Sequence, residues 1–129
     1  MANEIWVFAE QQDKKVRKVA FELLAASAEF SKKTGQEVAA VLLGSGLQEA
    51  LNSLKPFADK IYLFDDPGLT PYSSETYQAN IAELVIEHQP SIFLGGATST
   101  GKDLFPRLAM RLQTGYVPDC TGLTMDGNG

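Results

Sequence analysis

The chain has 129 residues, of which 44% are hydrophobic and 21% charged. Those are the proportions of one globular domain with its own core, and they exclude a disordered or collagen-like chain. A formal net charge of −5, all of it carried by residues 65–129, excludes a basic footprint for nucleic acid or an anionic membrane.

The longest apolar runs, Ile5 to Ala9 and Val38 to Leu43, fall far short of the ~20 residues of a membrane span. No secretory leader is legible before Ile5. A single cysteine, Cys120, fits a reducing compartment. With no targeting segment visible, the expected localisation is cytoplasmic, in a prokaryote. One Cys and one His do not suffice for a structural zinc site.

Glu4 to Glu10 reads as a strand, and its unbroken apolar centre suits a sheet covered on both faces. A polar turn, Gln11 to Lys15, leads to a helix with Val16, Ala20, Leu23, Leu24, Ser27 and Phe30 on one face. Gly35 is its expected C-terminal cap. Glu37 to Leu43 is a second strand. Ser45 with Gln48 then forms a capping-box pattern, opening a short helix with Leu47, Ala50, Leu51 and Leu54 inward.

Asp59 to Phe64 is a third strand, followed by a turn-rich loop from Asp65 to Pro71. A helix from Ser74 to His88 buries Tyr77, Ile81, Leu84 and Val85 and stops before Pro90. Ser91 to Gly95 is the fourth strand. Beyond a Gly/Thr/Ser loop, a fourth helix has Leu104, Phe105, Leu108 and Leu112 on one face, and a fifth extended segment runs from Tyr116 to about Met125. The alternation predicts a three-layer α/β/α domain over 1–129, with a mainly parallel five-strand sheet. Asp126-Gly127-Asn128-Gly129 is a hairpin-turn sequence with no returning strand, from which a longer polypeptide is expected.

In an open parallel sheet, ligands bind beyond the carboxyl ends of the strands. Gly96-Ala97-Thr98-Ser99-Thr100-Gly101-Lys102 satisfies the phosphate-loop spacing G-x-x-x-x-G-K, but Asp103 stands where Ser or Thr would hold magnesium. With Asp103 as the helix N-cap, Pro106 would fall in the tolerated first turn, so Gly101-Lys102 are expected to precede the helix. Binding of an anion by Gly96, Thr98, Thr100, Gly101 and Lys102 stays open as an alternative. Gly44-Ser45-Gly46 lacks the third glycine of a dinucleotide fingerprint, having Glu49 there.

His88, at a helix C-terminus without a second His, reads as structural; Cys120 reads as a plain thiol. Asp65-Asp66 reads as a turn before a metal site, and Asp119 as a strand-end cap. Trp6, Tyr77 and Phe105 read as core. Lys102, Arg107 and Arg111 form the one basic cluster of the acidic half, a solvated helix face or a contact for an acidic partner. No catalytic constellation and no metal site is expected.

The ordered segments Ile5-Trp6-Val7-Phe8-Ala9-Glu10, Glu22 to Ala28, Ala58 to Pro67 and above all Gly95-Gly96-Ala97-Thr98-Ser99-Thr100-Gly101-Lys102-Asp103-Leu104-Phe105-Pro106-Arg107-Leu108 are similar to a known family. From Ile5 onward the chain resembles the N-terminal domain of the electron transfer flavoprotein alpha subunit. Lys102, where Arg is commoner, and Pro118, where a small residue is frequent, depart from the pattern. The resemblance implies an adenine-nucleotide hydrolase-like fold and a heterodimer with a beta subunit. It also implies FAD-mediated electron transfer, as in fatty acid β-oxidation, from dehydrogenases such as acyl-CoA dehydrogenases to a quinone oxidoreductase or another acceptor.

The same resemblance implies that FAD is held mainly by a C-terminal domain outside this chain. The nucleotide loop of hydrolase-like relatives is replaced here by Gln11-Gln12-Asp13-Lys14-Lys15. The domain would then be a non-enzymatic scaffold for the beta subunit, prone to self-association when alone. The alternative is a free-standing nucleotide-binding module using Gly95 to Lys102.

Overall fold

The structure, a computed structural model, describes residues 4–117 and 122–124. In chain order it contains β1 (Glu4–Phe8), β2 (Gln11–Gln12), β3 (Lys15–Val16), α1 (Lys18–Thr34), β4 (Glu37–Gly44) and α2 (Gln48–Leu54). There follow β5 (Lys60–Asp65), α3 (Ser74–His88), β6 (Ile92–Leu94), α4 (Ser99–Leu112), β7 (Gly115–Val117) and β8 (Gly122–Thr124). Short 3₁₀ turns, Lys55–Phe57 and Pro67–Leu69, follow α2 and β5. Strand order in the main sheet is β5-β4-β1-β6-β8-β7, with β5, β4, β1 and β6 parallel.

The expected three-layer α/β/α arrangement is present, and β1 shows why its sequence is apolar without interruption. Trp6 and Phe8 point into one core with Tyr77, Ile81 and Val85 of α3 and Leu104, Phe105 and Leu108 of α4. Val7 and Ala9 point into the other, with Ala20 and Leu24 of α1 and Leu47, Ala50 and Leu54 of α2. Successive side chains on a strand face opposite ways, so a strand buried on both faces needs every position apolar. β4, buried from Val38 to Gly44, follows the same rule.

Several local expectations are corrected. The single C-terminal extended segment is two strands, β7 and β8, antiparallel to each other, with β8 antiparallel to β6; the sheet therefore has six strands. Pro118, Asp119, Cys120, Met125 and the hairpin-turn sequence expected at 126–129 lie outside the described residues. The segment Gln11–Lys15 is a hairpin of β2 and β3 around Asp13 (φ 53°) and Lys14 (φ 70°), the paired left-handed conformation of a two-residue hairpin turn. Val16 belongs to β3, so α1 starts two residues later than its apolar stripe suggests, and Phe30 is 49% exposed. Gly35 closes α1 in the left-handed conformation, as expected.

The start of α2 is held by tertiary structure rather than by the Ser45–Gln48 pair. The Asp65 carboxylate, at the end of β5, accepts hydrogen bonds from the backbone N–H of Gly46 (2.9 Å) and Leu47 (3.0 Å). A carboxylate at a helix N-terminus satisfies orphan donors and complements the helix dipole. Those two bonds hold the Asp65 carboxyl below its ordinary value. A depressed folded-state pKa contributes stability above the unfolded pKa and loses it as pH falls through the folded value. Asp65→Asn is accordingly expected to lower the urea midpoint at pH 7. The gap from the native protein should begin to shrink as pH falls below about 4 and close only below the depressed folded-state value, where both side chains are neutral; urea titrations at stepped pH check this.

Candidate functional site

The carboxyl ends of β1 and β4 open into a cleft of about 630 Å³, the size of a small-molecule site. Its apolar lining includes Phe8, Leu43, Leu69 and Tyr77, and its polar lining includes Glu10, Asp13, Lys14, Arg17 and Thr100. The β2–β3 hairpin makes one wall. It is fixed to the sheet by Gln11, whose Nε2 donates to the Leu43 carbonyl (3.2 Å); the Tyr77 hydroxyl donates to the same oxygen (3.2 Å). Burial pushes the Tyr77 hydroxyl pKa upward.

Beside this cleft lies the Gly/Thr/Ser loop. Thr98, not Asp103, is the N-cap of α4, and its Oγ1 accepts from the Gly101 N–H at 3.0 Å. The helix begins at Ser99, so Gly101-Lys102 are inside its first turn and Pro106 is in the helix interior. This overturns the expected boundary. A proline there removes the hydrogen bond to the Lys102 carbonyl, a cost of ~3 kcal/mol in an ordinary helix. The Thr98 cap and the burial of Leu104, Phe105, Leu108 and Ala109 act against that cost.

The glycines of this loop are explained by close packing. A Cβ at Gly101 would lie 1.9 Å from the Gly96 carbonyl oxygen, and one at Gly96 would lie 2.7 Å from Val19. The first turn of α4 therefore presses directly on loop backbone. The anion position at its N-terminus is served from within the protein. Glu10, 4% exposed, accepts from the Thr98 hydroxyl (Oε1, 2.6 Å) and from Arg17 (Oε2, 2.7 Å). A carboxylate relayed through a hydroxyl thus stands where a phosphate would meet the helix dipole.

Of the five candidate anion-binding residues, Thr98 is occupied by Glu10 and by its own cap, and Gly96 and Gly101 are in mutual contact. Thr100 lines the cleft, while Lys102 is exposed and makes no ion pair among the described residues. A phosphate at this helix terminus would meet the Glu10 carboxylate.

Asp103 has a different role from the expected cap. It accepts from the Tyr72 hydroxyl (2.8 Å) and from Arg107 Nε (3.1 Å), tying α4 to the segment ahead of α3. These partners hold its carboxyl low, while burial and the Asp103 bond push the Tyr72 hydroxyl upward. Arg107 is therefore not a free member of the basic cluster, whereas Arg111 makes no ion pair among the described residues.

Asp66 accepts from the Gly68 N–H at 2.7 Å, so the Asp65-Asp66 pair caps two turns. No group of three or more His, Cys, Asp or Glu among the described residues is arranged to hold a metal. His88 sits against Tyr62, ring centroids 4.9 Å apart, at the opposite end of the sheet. Among the described residues no helix is long and apolar enough to cross a membrane.

Reading the sequence did not single out Glu10 or Arg17. The available signal was an acidic residue closing an apolar strand, with an arginine seven positions on.

Over residues 5–129 the chain matches the family described as the electron transfer flavoprotein domain. It is 44% identical over 128 residues to the electron transfer flavoprotein subunit alpha of Thermoanaerobacterium thermosaccharolyticum, covering 98% of this chain and 39% of that protein. To the protein of the same name from Clostridium acetobutylicum it is 43% identical over 123 residues, 95% of this chain and 37% of that one. To the acryloyl-CoA reductase electron transfer subunit beta of Anaerotignum propionicum it is 37% identical over 127 residues, 98% and 35% respectively. The chain thus spans less than two fifths of the length of these relatives.

Thr98→Val removes the cap acceptor and leaves one Glu10 oxygen without its donor. We expect a loss of about 2 kcal/mol, a cap and a buried hydrogen bond together. Gly101→Ala, which forces a methyl into the Gly96 carbonyl, is expected to cost about 3 kcal/mol or more. Urea unfolding followed by the single tryptophan measures both.

Proposed function

The chain belongs to the electron transfer flavoprotein domain family, and from that premise we propose that it is the N-terminal α/β domain of an electron transfer flavoprotein alpha subunit, acting as a scaffold for the beta subunit. In the complete heterodimer, electrons pass from dehydrogenases, acyl-CoA dehydrogenases among them, to a quinone oxidoreductase or another acceptor. FAD supplies the redox chemistry there and is held mainly by a C-terminal domain outside these 129 residues. The domain itself has no catalytic role.

One observation carries this reading: the Glu10 carboxylate stands, through Thr98, at the helix terminus where a nucleotide phosphate would bind. Arg17 completes the closure at 2.7 Å. The relatives named as alpha subunits are more than twice as long, which supports assigning the flavin to the remainder. The single cysteine supports a reducing, cytoplasmic setting.

What this chain contributes is rigidity and surface. Two apolar cores lock the parallel sheet, and ion pairs at both ends of β1 fix its loops. Exposed apolar side chains, Ile86 at 66% and Met110 at 83%, are available for subunit contact, and by the same token for self-association of the isolated domain.

The cleft at the carboxyl ends of the strands is the specific feature that favours the second reading, a nucleotide-binding module. Purified protein is expected to be colourless after gel filtration. Its unfolding midpoint should not move with added FAD or AMP. A ligand at 100 times its Kd would stabilise the fold by about 2.7 kcal/mol, a shift readily seen by thermal scanning. Such a stabilisation, or a flavin spectrum surviving gel filtration, would overturn the scaffold assignment.

A further inference from the structure

At the amino end of β1, remote from the cleft, two oxidisable rings share one proton acceptor. Trp6 Nε1 donates to Glu4 Oε1 at 2.9 Å, and the Tyr62 hydroxyl donates to the same oxygen at 2.7 Å. The two rings are in contact, their centroids 5.0 Å apart. Lys60 binds the other Glu4 oxygen at 2.6 Å. We propose that Trp6, Tyr62 and Glu4 form a radical relay, which moves an oxidising equivalent from the buried indole to the half-exposed phenol.

The positions suit that direction. Trp6 is fully buried in the core and is the only tryptophan of the chain. Tyr62 is half-buried on β5, the strand at one edge of the sheet, with His88 against its ring. Indole and phenol are the side chains that lose one electron most readily among those in this core, the remaining aromatic contact of Trp6 beyond His88 being Phe93 among the described residues. Tyr72 and Tyr77 pair with each other beside the cleft, and neither is in ring contact with Trp6.

The step balances as follows. An oxygen-centred radical, the oxidant, takes one electron from Trp6 and becomes an oxyanion. The indole radical cation gives its Nε1 proton to Glu4. Tyr62 then transfers an electron to Trp6 across the ring contact. Glu4 returns a proton to Nε1 and its Oε1 receives the Tyr62 hydroxyl proton. Trp6 is restored, Tyr62 is a neutral phenoxyl radical, and the proton left on Glu4 neutralises the oxyanion.

The shared oxygen is the essential feature. A phenol that loses an electron becomes a very strong acid, and a base already hydrogen-bonded to it removes the need to diffuse a proton. Here the acceptor of that proton also touches the atom that must be reprotonated.

A laser flash at the red edge of indole absorption ionises Trp6 alone, with nitrate taking up the ejected electron. In the native protein the indolyl signal is expected to decay with first-order kinetics, independent of protein concentration, as a phenoxyl signal rises. Tyr62→Phe should abolish that rise and leave a long-lived indolyl radical, while Tyr72→Phe should leave the transfer unchanged. Glu4→Gln, which cannot take up the proton, should slow it by roughly 100-fold, the low end of what a positioned base contributes. The native protein in deuterium oxide should show a solvent isotope effect on the same step, a readout that needs no variant. A phenoxyl rise retained in Tyr62→Phe, no rise in the native protein, or an unchanged rate in Glu4→Gln with no isotope effect would each overturn the relay.

Discussion

The contact on which the upper end of the molecule depends is the one Glu10 makes. Its side chain is almost wholly removed from water, yet it carries a carboxylate that needs partners. Arg17, at the N-cap of α1, supplies charge, and Thr98, from the loop after β6, supplies a hydroxyl. The start of α1 and a loop 88 residues away in sequence thus converge on one group. Thr98 in turn caps α4, so the boundary of that helix is set by a residue on the first strand's extension. Removing either partner would leave a buried carboxylate short of donors, which is why the loops at this end have so little freedom.

That constraint gives the phosphate-loop spacing a structural purpose here. A phosphate loop uses glycines to bring backbone N–H groups around an anion. In this loop the glycine positions serve contact between protein segments: the turn of α4 rests on Gly96, and Gly96 rests on Val19 of α1. The spacing satisfies both purposes because both require backbone without Cβ at the start of a helix. What separates them is the occupant of the helix terminus, and Glu10 fills that role from within.

The layer order, the four parallel strands and both core faces were legible because double burial imposes long apolar runs on β1 and β4, and helical stripes on α3 and α4. The misread features share a cause. Ser45 looked like a cap, but Asp65 does the work from the next strand over. Pro106 looked like a first-turn residue, but Thr98 and tertiary packing hold a helix that propensity alone would start later. Asp13 and Lys14 adopt positive φ without a glycine to announce it, held by a Lys14 N–H to Gln11 bond of 3.0 Å and by the tether of Gln11 to Leu43. In each case a contact distant in sequence overrides a local preference. Periodicity reports which face is buried; it carries no information about which remote polar group will meet a chain end.

Glu10 and Glu4 make the same strand a frame for the whole domain. β1 lies inside the sheet between β4 and β6, and the segment Glu4 to Glu10 carries a carboxylate at each end of an apolar run. At one pole Glu10 joins the hairpin and α4; at the other Glu4 joins β5 through Lys60 and Tyr62. Burial raises the cost of ionising Glu4, but the bonds from Lys60, Tyr62 and Trp6 outweigh it and hold its carboxyl low. Tyr62, partly buried against that charge, is pushed up to about 12 and stays a phenol. Each carboxylate ties the central strand to elements that burial alone would only press against it. A parallel sheet needs its register fixed at both ends, and these two acids do it with directional bonds that an apolar core cannot supply. The result is a central strand bound at both poles by its own carboxylates to the elements packed around it.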